Sequence, residues 1–198
     1  MSEKIMPNRL DRVFCQYQEE LEAKALKVLR SGWYVLGPEV EGFEREFADF
    51  TGSRYCVGLA SGLDALWMAF RVLGIGAGDE VIVQANTYIA SVMGITINGA
   101  TPVFAEPDIF FNLDVSRLEG LITERTRAVL AVHLYGQSSQ MDEIVRICRK
   151  HRLRLVEDCA QSHGACFQGK MTGTFGDYGI YSYNGNKIIT TSGGGTLI

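Results

Sequence analysis

The sequence predicts an α/β fold: three layers, α/β/α, around a mostly parallel sheet. Three observations predict it. Short apolar runs of strand length alternate with longer runs of helical period along the chain. At 198 residues, with 46% hydrophobic and 21% charged side chains, the chain is long enough for one substantial core and ordinary in composition for a globular protein. No internal repeat, low-complexity tract or Pro/Ser-rich linker interrupts the alternation, and only four prolines occur.

Gln16 to Arg30 reads as a helix, with Tyr17, Leu21, Ala25, Val28 and Leu29 in one stripe and Ser31-Gly32 as its stop. Glu39 to Phe50 is a second helix, with Val40, Phe43, Phe47 and Phe50 on one face. A short strand over Tyr55 to Leu59 leads into a helix from Gly62 to Leu73, whose inner side is Leu63, Leu66, Phe70 and Leu73. The alternation then runs on through a strand over Glu80 to Val83, a helix over Ile89 to Asn98 and a strand over Pro102 to Ala105. A short helix over Ser116 to Ile122 precedes the strongly apolar strand Ala128 to Val132. Gln140 to Lys150 is a helix with Met141, Ile144, Val145 and Cys148 turned inward, and strands follow at Leu153 to Val156 and Tyr178 to Tyr183. Thr196-Leu197-Ile198 reads as the opening of a further apolar strand, which leads us to expect a piece of a longer chain.

A net charge of −4 argues against a nucleic-acid partner, which calls for a basic face. It leaves an anionic ligand open, because amides at a helix start hold phosphate without net positive charge. Met1-Ser2-Glu3-Lys4 has no apolar run behind it, so no signal peptide is expected, and stretches such as Ala128 to Val132 are too short for a membrane span. Five cysteines, an odd number without metal-type spacing, read as reduced thiols of a cytoplasmic protein with no metal site. Cys159 reads as a small apolar core residue.

Ligands of such sheets bind at the carboxyl ends of strands. Four strand ends carry candidate chemistry. Ser61, Gly62 and Leu63 open a helix and form a candidate phosphate seat, although Ser61 taken alone reads as an ordinary N-cap. Tyr88 follows the strand at Glu80 and presents a ring for a flat cofactor, or equally a rim tyrosine. Asp158 ends the strand at Leu153, beside Glu157. A buried acidic pair is costly unless paired or put to use, and a carboxylate there can keep a pyridine nitrogen protonated. Gln161 is within reach of the same ring, and His163 reads as structural. Lys187 follows the strand at Tyr178, with two isoleucines and the Gly193-Gly194-Gly195 run after it. A lysine so placed can form an imine, and Ser182 inside that strand can donate to a phosphate.

Taken together, the runs SGWYVLGPEVEGFEREFA, SGLDAL (Ser61 to Leu66), ANTYIAS (Ala85 to Ser91), HLYGQ (His133 to Gln137), VEDCAQSHGA (Val156 to Ala165) and YSYNGNKIITTSGGG (Tyr181 to Gly195) resemble the DegT/StrS family of sugar aminotransferases. The resemblance runs from about Ser31 to the end. It implies the large domain of a fold type I enzyme dependent on pyridoxal phosphate (PLP). It further implies Lys187 as the catalytic lysine that binds the cofactor covalently and moves protons, Asp158 at the ring nitrogen, Gln161 at the ring hydroxyl and Tyr88 stacked on the ring. Ser182 with Ser61, Gly62 and Leu63 would hold the phosphate. The expected reaction passes an amino group, usually from glutamate, to a keto group of a nucleotide-linked sugar, in a homodimer serving surface-polysaccharide or metabolite glycosylation. The expected layout is an N-terminal helical arm over 1–30 and an incomplete PLP-binding domain over 31–198, with the small C-terminal domain of the family absent. Two rivals stand beside it: a sugar dehydratase of the same fold, which by the resemblance would carry histidine in place of Lys187, and an inactive fragment. A binding protein on the same scaffold is more distant.

Overall fold

The computed structural model describes residues 8–198. The first seven residues of the expected N-terminal arm, including the stretch read for a signal peptide, lie outside them. Helix α1 (Leu10–Gln16) and helix α2 (Gln18–Ser31) replace the single predicted helix. They break at Tyr17 and bury no residue. The apolar stripe of α2 is therefore in water: Leu21 and Leu29 are exposed and only Val28 is half-covered. Helix α3 (Pro38–Thr51) starts after Gly37, whose φ of 91° suits glycine, and has proline in its first turn.

The main sheet has seven strands: β1 (Val57–Leu59), β2 (Glu80–Gln84), β3 (Thr101–Ala105), β4 (Thr126–Val132), β5 (Arg154–Asp158), β8 (Tyr178–Ser182) and β9 (Gly195–Leu197). Their order is β1-β9-β8-β5-β4-β2-β3. The five strands from β8 to β3 run parallel, whereas β9 is antiparallel to both β8 and β1. A two-stranded hairpin, β6 (Cys166–Phe167) with β7 (Lys170–Met171), sits outside the sheet. The sequence reading missed it.

Period-two alternation sorts the central strands between two helix layers. Val81, Val83, Leu130, Val132, Val156 and Ile180 pack with α4 (Gly62–Val72) and α5 (Ile89–Thr96). Ile82, Val129, Ala131 and Leu155 pack on the other face with α7 (Met141–His151). Met141, Ile144 and Cys148 turn inward from α7 at spacings of three and four, and Val145 is half-covered. Tyr181 and Tyr183 lie with Phe47 of α3 in a third cluster. The segment predicted as a helix over Ser116 to Ile122 is a short helix, α6 (Val115–Leu118), followed by one 3-10 turn. Among the described residues no helix is long and apolar enough to cross a membrane.

Candidate active site

The carboxyl ends of β4, β5 and β8, the loop after β2 and the starts of α4 and α5 surround one cavity of about 450 Å³. Ser61, Gly62, Leu63, Tyr88, Asp158, Gln161, Ser182 and Lys187 all line it. The structure thus brings together the eight residues singled out at strand ends from four separate stretches of chain.

Glu157 and Asp158 part company by strand parity. Asp158, in register with Val156, faces the cavity and is 5% exposed. Its Oδ1 accepts from the Ala160 amide at 3.0 Å and its Oδ2 from the Ser91 hydroxyl at 2.7 Å. Since Ser91 spends its only hydrogen on the carboxylate, Thr87 is the donor in the 2.8 Å contact between the two hydroxyls. Sequence reasoning missed both Thr87 and Ser91. They lie inside the ANTYIAS run, but only the fold shows α5 leaning over β5.

Glu157 points to the opposite face, fully buried. Its Oε1 accepts from the Phe175 and Gly176 amides, at 2.6 and 2.8 Å. Its Oε2 accepts from the Gly173 amide at 2.8 Å and meets His133 Nε2 at 3.0 Å. The Ser139 amide donates to His133 Nδ1 at 3.1 Å, so the ring proton is on Nε2 and points at Glu157. His133, Glu157 and Cys159 are close enough together to suggest a metal seat. The carboxylate is nonetheless already saturated by hydrogen bonds, and burial, with Glu157 second, pushes the Cys159 thiol well up. This cluster holds the β6–β7 region onto the sheet.

At the start of α4 the Ser61 hydroxyl accepts from the Asp64 amide at 3.0 Å and donates to the Asp64 carboxylate at 2.8 Å. The N-cap reading of Ser61 therefore holds for its side chain, and what Ser61 to Leu63 offer a ligand is backbone. Among the described residues the Gly62 and Leu63 amides make no hydrogen bond. Gly62 is packed so closely on Ser182 that a Cβ there would sit 2.8 Å from the Ser182 Cβ. Gly195, paired with Ser182 across β8 and β9, passes the same turn, and a Cβ on it would fall 2.4 Å from the Ser61 carbonyl carbon. The Gly193-Gly194-Gly195 run brings β9 tightly past this seat.

Gln161 Oε1 accepts from the Tyr135 amide at 2.8 Å, which leaves its Nε2 as the unengaged donor. Tyr88 is the residue before α5 and 67% exposed at the rim. Lys187, half-buried in the loop between β8 and β9, has its amide on the Asn184 carbonyl at 2.9 Å, and its amine has no partner among the described residues. Tyr135 and Phe111, which sequence reasoning did not single out, stand edge to face at 5.8 Å near this rim. Both have left-handed backbones, with φ of 58° and 68°. Such a conformation costs a side-chain-bearing residue roughly 1–2 kcal/mol. The Phe111 carbonyl is clamped by the Gln84 and Asn86 side-chain amides at 3.1 and 3.0 Å.

His163 packs on the Tyr181 and Tyr183 rings, with both ring nitrogens buried and, among the described residues, unpartnered. Burial first, and then the positive charge of Lys187, lower its pKa to about 4. The unfolded chain, with an ordinary histidine near 6.5, binds the extra proton between these values, so stability is lost as pH falls from about 6.5 towards 4. His163→Phe, which keeps an aromatic ring in the clamp, is expected to flatten that acid limb in thermal melts taken at half-unit pH steps. An unchanged limb would show the titration to lie elsewhere.

The profile of the DegT/DnrJ/EryC1/StrS aminotransferase family matches residues 16–198. The dTDP-3-amino-3,6-dideoxy-alpha-D-galactopyranose transaminase of Aneurinibacillus thermoaerophilus is 51% identical over 175 residues, which are 88% of this chain and 48% of that protein. The crystal structure of DesV from S. venezuelae, solved with a ketimine intermediate, superposes with a TM-score of 0.92 at 44% identity, covering 96% of this chain and 52% of that one. A Streptococcus pneumoniae protein solved in a PLP form is 34% identical with a TM-score of 0.86, over 88% of this chain and 49% of that one. The chain spans about half the length of the curated relatives it matches. With nearly its whole length matched by the family profile, the chain belongs to the DegT/DnrJ/EryC1/StrS aminotransferase family.

Proposed function

We propose that the protein binds PLP in the 450 Å³ cavity and transfers an amino group, from an amino acid such as glutamate, to a keto group of a nucleotide-linked sugar. One observation carries the reading: a lysine amine and a buried carboxylate line the same cavity as a helix start, and among the described residues the amine and two amides of that helix start have no partner.

The donor set fits the cofactor. The Gly62 and Leu63 amides and the Ser182 hydroxyl form a seat too tight for a side chain at position 62 and suited to a phosphate. Asp158, with both oxygens held, keeps a proton at a ring nitrogen. Gln161 Nε2 would donate to a ring hydroxyl, and Tyr88 would cover a ring face. When bound, PLP supplies an electron sink next to its carbonyl carbon. Lys187 attaches the cofactor and, when released, carries the proton to and from the carbon that holds the amino group. A lysine at 187 also speaks against the dehydratase reading, by the resemblance drawn above.

The proposal extends to a cytoplasmic homodimer. The exposed run Trp33, Tyr34, Val35 and Leu36 supports a buried contact in an assembly, and five unpaired cysteines suit a reducing compartment. The test is chemical trapping. After incubation with PLP and reduction with borohydride, peptide mapping is expected to find the pyridoxyl adduct on Lys187. An adduct confined to any other lysine would sink the assignment.

A further inference from the structure

Lys187 lines two cavities. Next to the one just described lies a second, of about 290 Å³, which shares Ala160, Gln161, Asn186 and Lys187 with it and is further lined by Tyr135, Gly136 and Ile188. We infer that this second cavity seats the sugar ring of the substrate, with Tyr135 as the face on which the ring stacks. The inference rests on Lys187 being the reacting amine, as proposed above.

The wall chemistry selects the ligand. Tyr135 and Ile188 offer apolar faces, Gln161 and Asn186 offer amides, and among the described residues Lys187 is the only charged one in the lining. A pyranose has the matching surface, C–H groups on its faces and hydroxyls at its rim. A diphosphate would find no cluster of cations there. The volume sits at the lower edge of ligand cavities, about 300–1,000 Å³. It suits one sugar ring and leaves no room for the nucleotide.

Backbone strain points the same way. Tyr135 holds φ 58° and ψ 22°, a conformation glycine adopts at no cost, while the residue is 73% exposed. The ring therefore adds little to the core, and fold stability does not account for a tyrosine here. A bulky residue kept in strain beside a reactive lysine marks a position held for a ligand. The Tyr135 amide also fixes Gln161, so one residue ties the stacking face to the donor aimed at the cofactor.

Tyr135→Gly separates the two roles, because it relaxes the backbone and removes the ring. Calorimetric titrations of the PLP-loaded chain with dTDP-glucose, UDP-glucose and GDP-mannose, each against its free nucleoside diphosphate, provide the readout. We expect Tyr135→Gly to melt no lower than the parent chain and to capture PLP as before. It should bind the free diphosphate equally well and lose about tenfold in affinity for the nucleotide sugar. Tyr135→Phe should keep that affinity within about twofold, since the ring and not the hydroxyl makes the contact. Nucleotide-sugar affinity that survives Tyr135→Gly overturns the inference. So does an equal loss for sugar and free diphosphate, which would put the nucleobase on the ring, and so does a parent chain that binds none of the three sugars. Absence of a lysine imine absorbance in the parent chain would instead sink the reading of Lys187, independently of the titrations.

Discussion

Replacing Glu157 with alanine is expected to destabilise the protein by about 3–5 kcal/mol, a large share of the roughly 5–15 kcal/mol that holds a domain folded. The reason is the number of groups abandoned, not the loss of one contact. The buried Gly173 amide, the half-buried Phe175 and Gly176 amides and the Nε2–H of His133 all converge on this carboxylate. Each buried donor left without an acceptor costs about 1–3 kcal/mol. The segment they hold connects the β6–β7 hairpin to β8, so the damage reaches the strand that carries Ser182. Glu157→Gln keeps one oxygen to accept but turns an NH₂ towards a donor, and should cost less than alanine. Urea unfolding of the three proteins measures the series. A midpoint for Glu157→Ala equal to that of the parent chain would show that water or rearrangement satisfies these amides.

The comparison of Glu157 with Asp158 also shows how far the sequence alone could be read. The helix and strand alternation was plain because apolar spacing is a local signal: β4 and α7 are recognisable from their own residues. The eight candidate residues that line the cavity were visible for a related reason, since strand ends and helix starts can be located once the strands are. Which acid of the adjacent pair faces the cavity follows from strand parity. That parity is known only after Val156 is placed on the same face as Ile180. Thr87 and Ser91 were invisible because their role depends on α5 lying over the end of β5. The break at Tyr17 has no glycine or proline to announce it, and α1 and α2 bury no residue that would fix their continuity. The β6–β7 hairpin has two residues per strand, too few to show a period. Tyr135 and Phe111 went unnoticed because a left-handed backbone at an aromatic residue leaves no mark in the sequence.

Asp158→Ala is expected to weaken PLP binding by about 2–5 kcal/mol, from about thirtyfold to several thousandfold, because it removes one partner of a buried, hydrogen-bonded charge pair. Ser91→Ala is the informative companion. It removes one of the two hydrogen bonds that orient the carboxylate and leaves the Ala160 amide on the other oxygen. A loss near 1 kcal/mol, about fivefold, is expected. If Asp158 acts by presenting charge to the ring nitrogen, the two variants must differ by about fivefold or more, and Ser91→Ala must retain the lysine imine absorbance. Cofactor titration followed by that absorbance separates them, and thermal melts without PLP correct for any loss of fold. Equal losses in both variants would mean that the cavity wall, where α5 rests on β5, is what matters, and that the carboxylate has no separate part in holding the cofactor. Parent-like affinity in Asp158→Ala would remove the electrostatic argument for placing the ring nitrogen there at all.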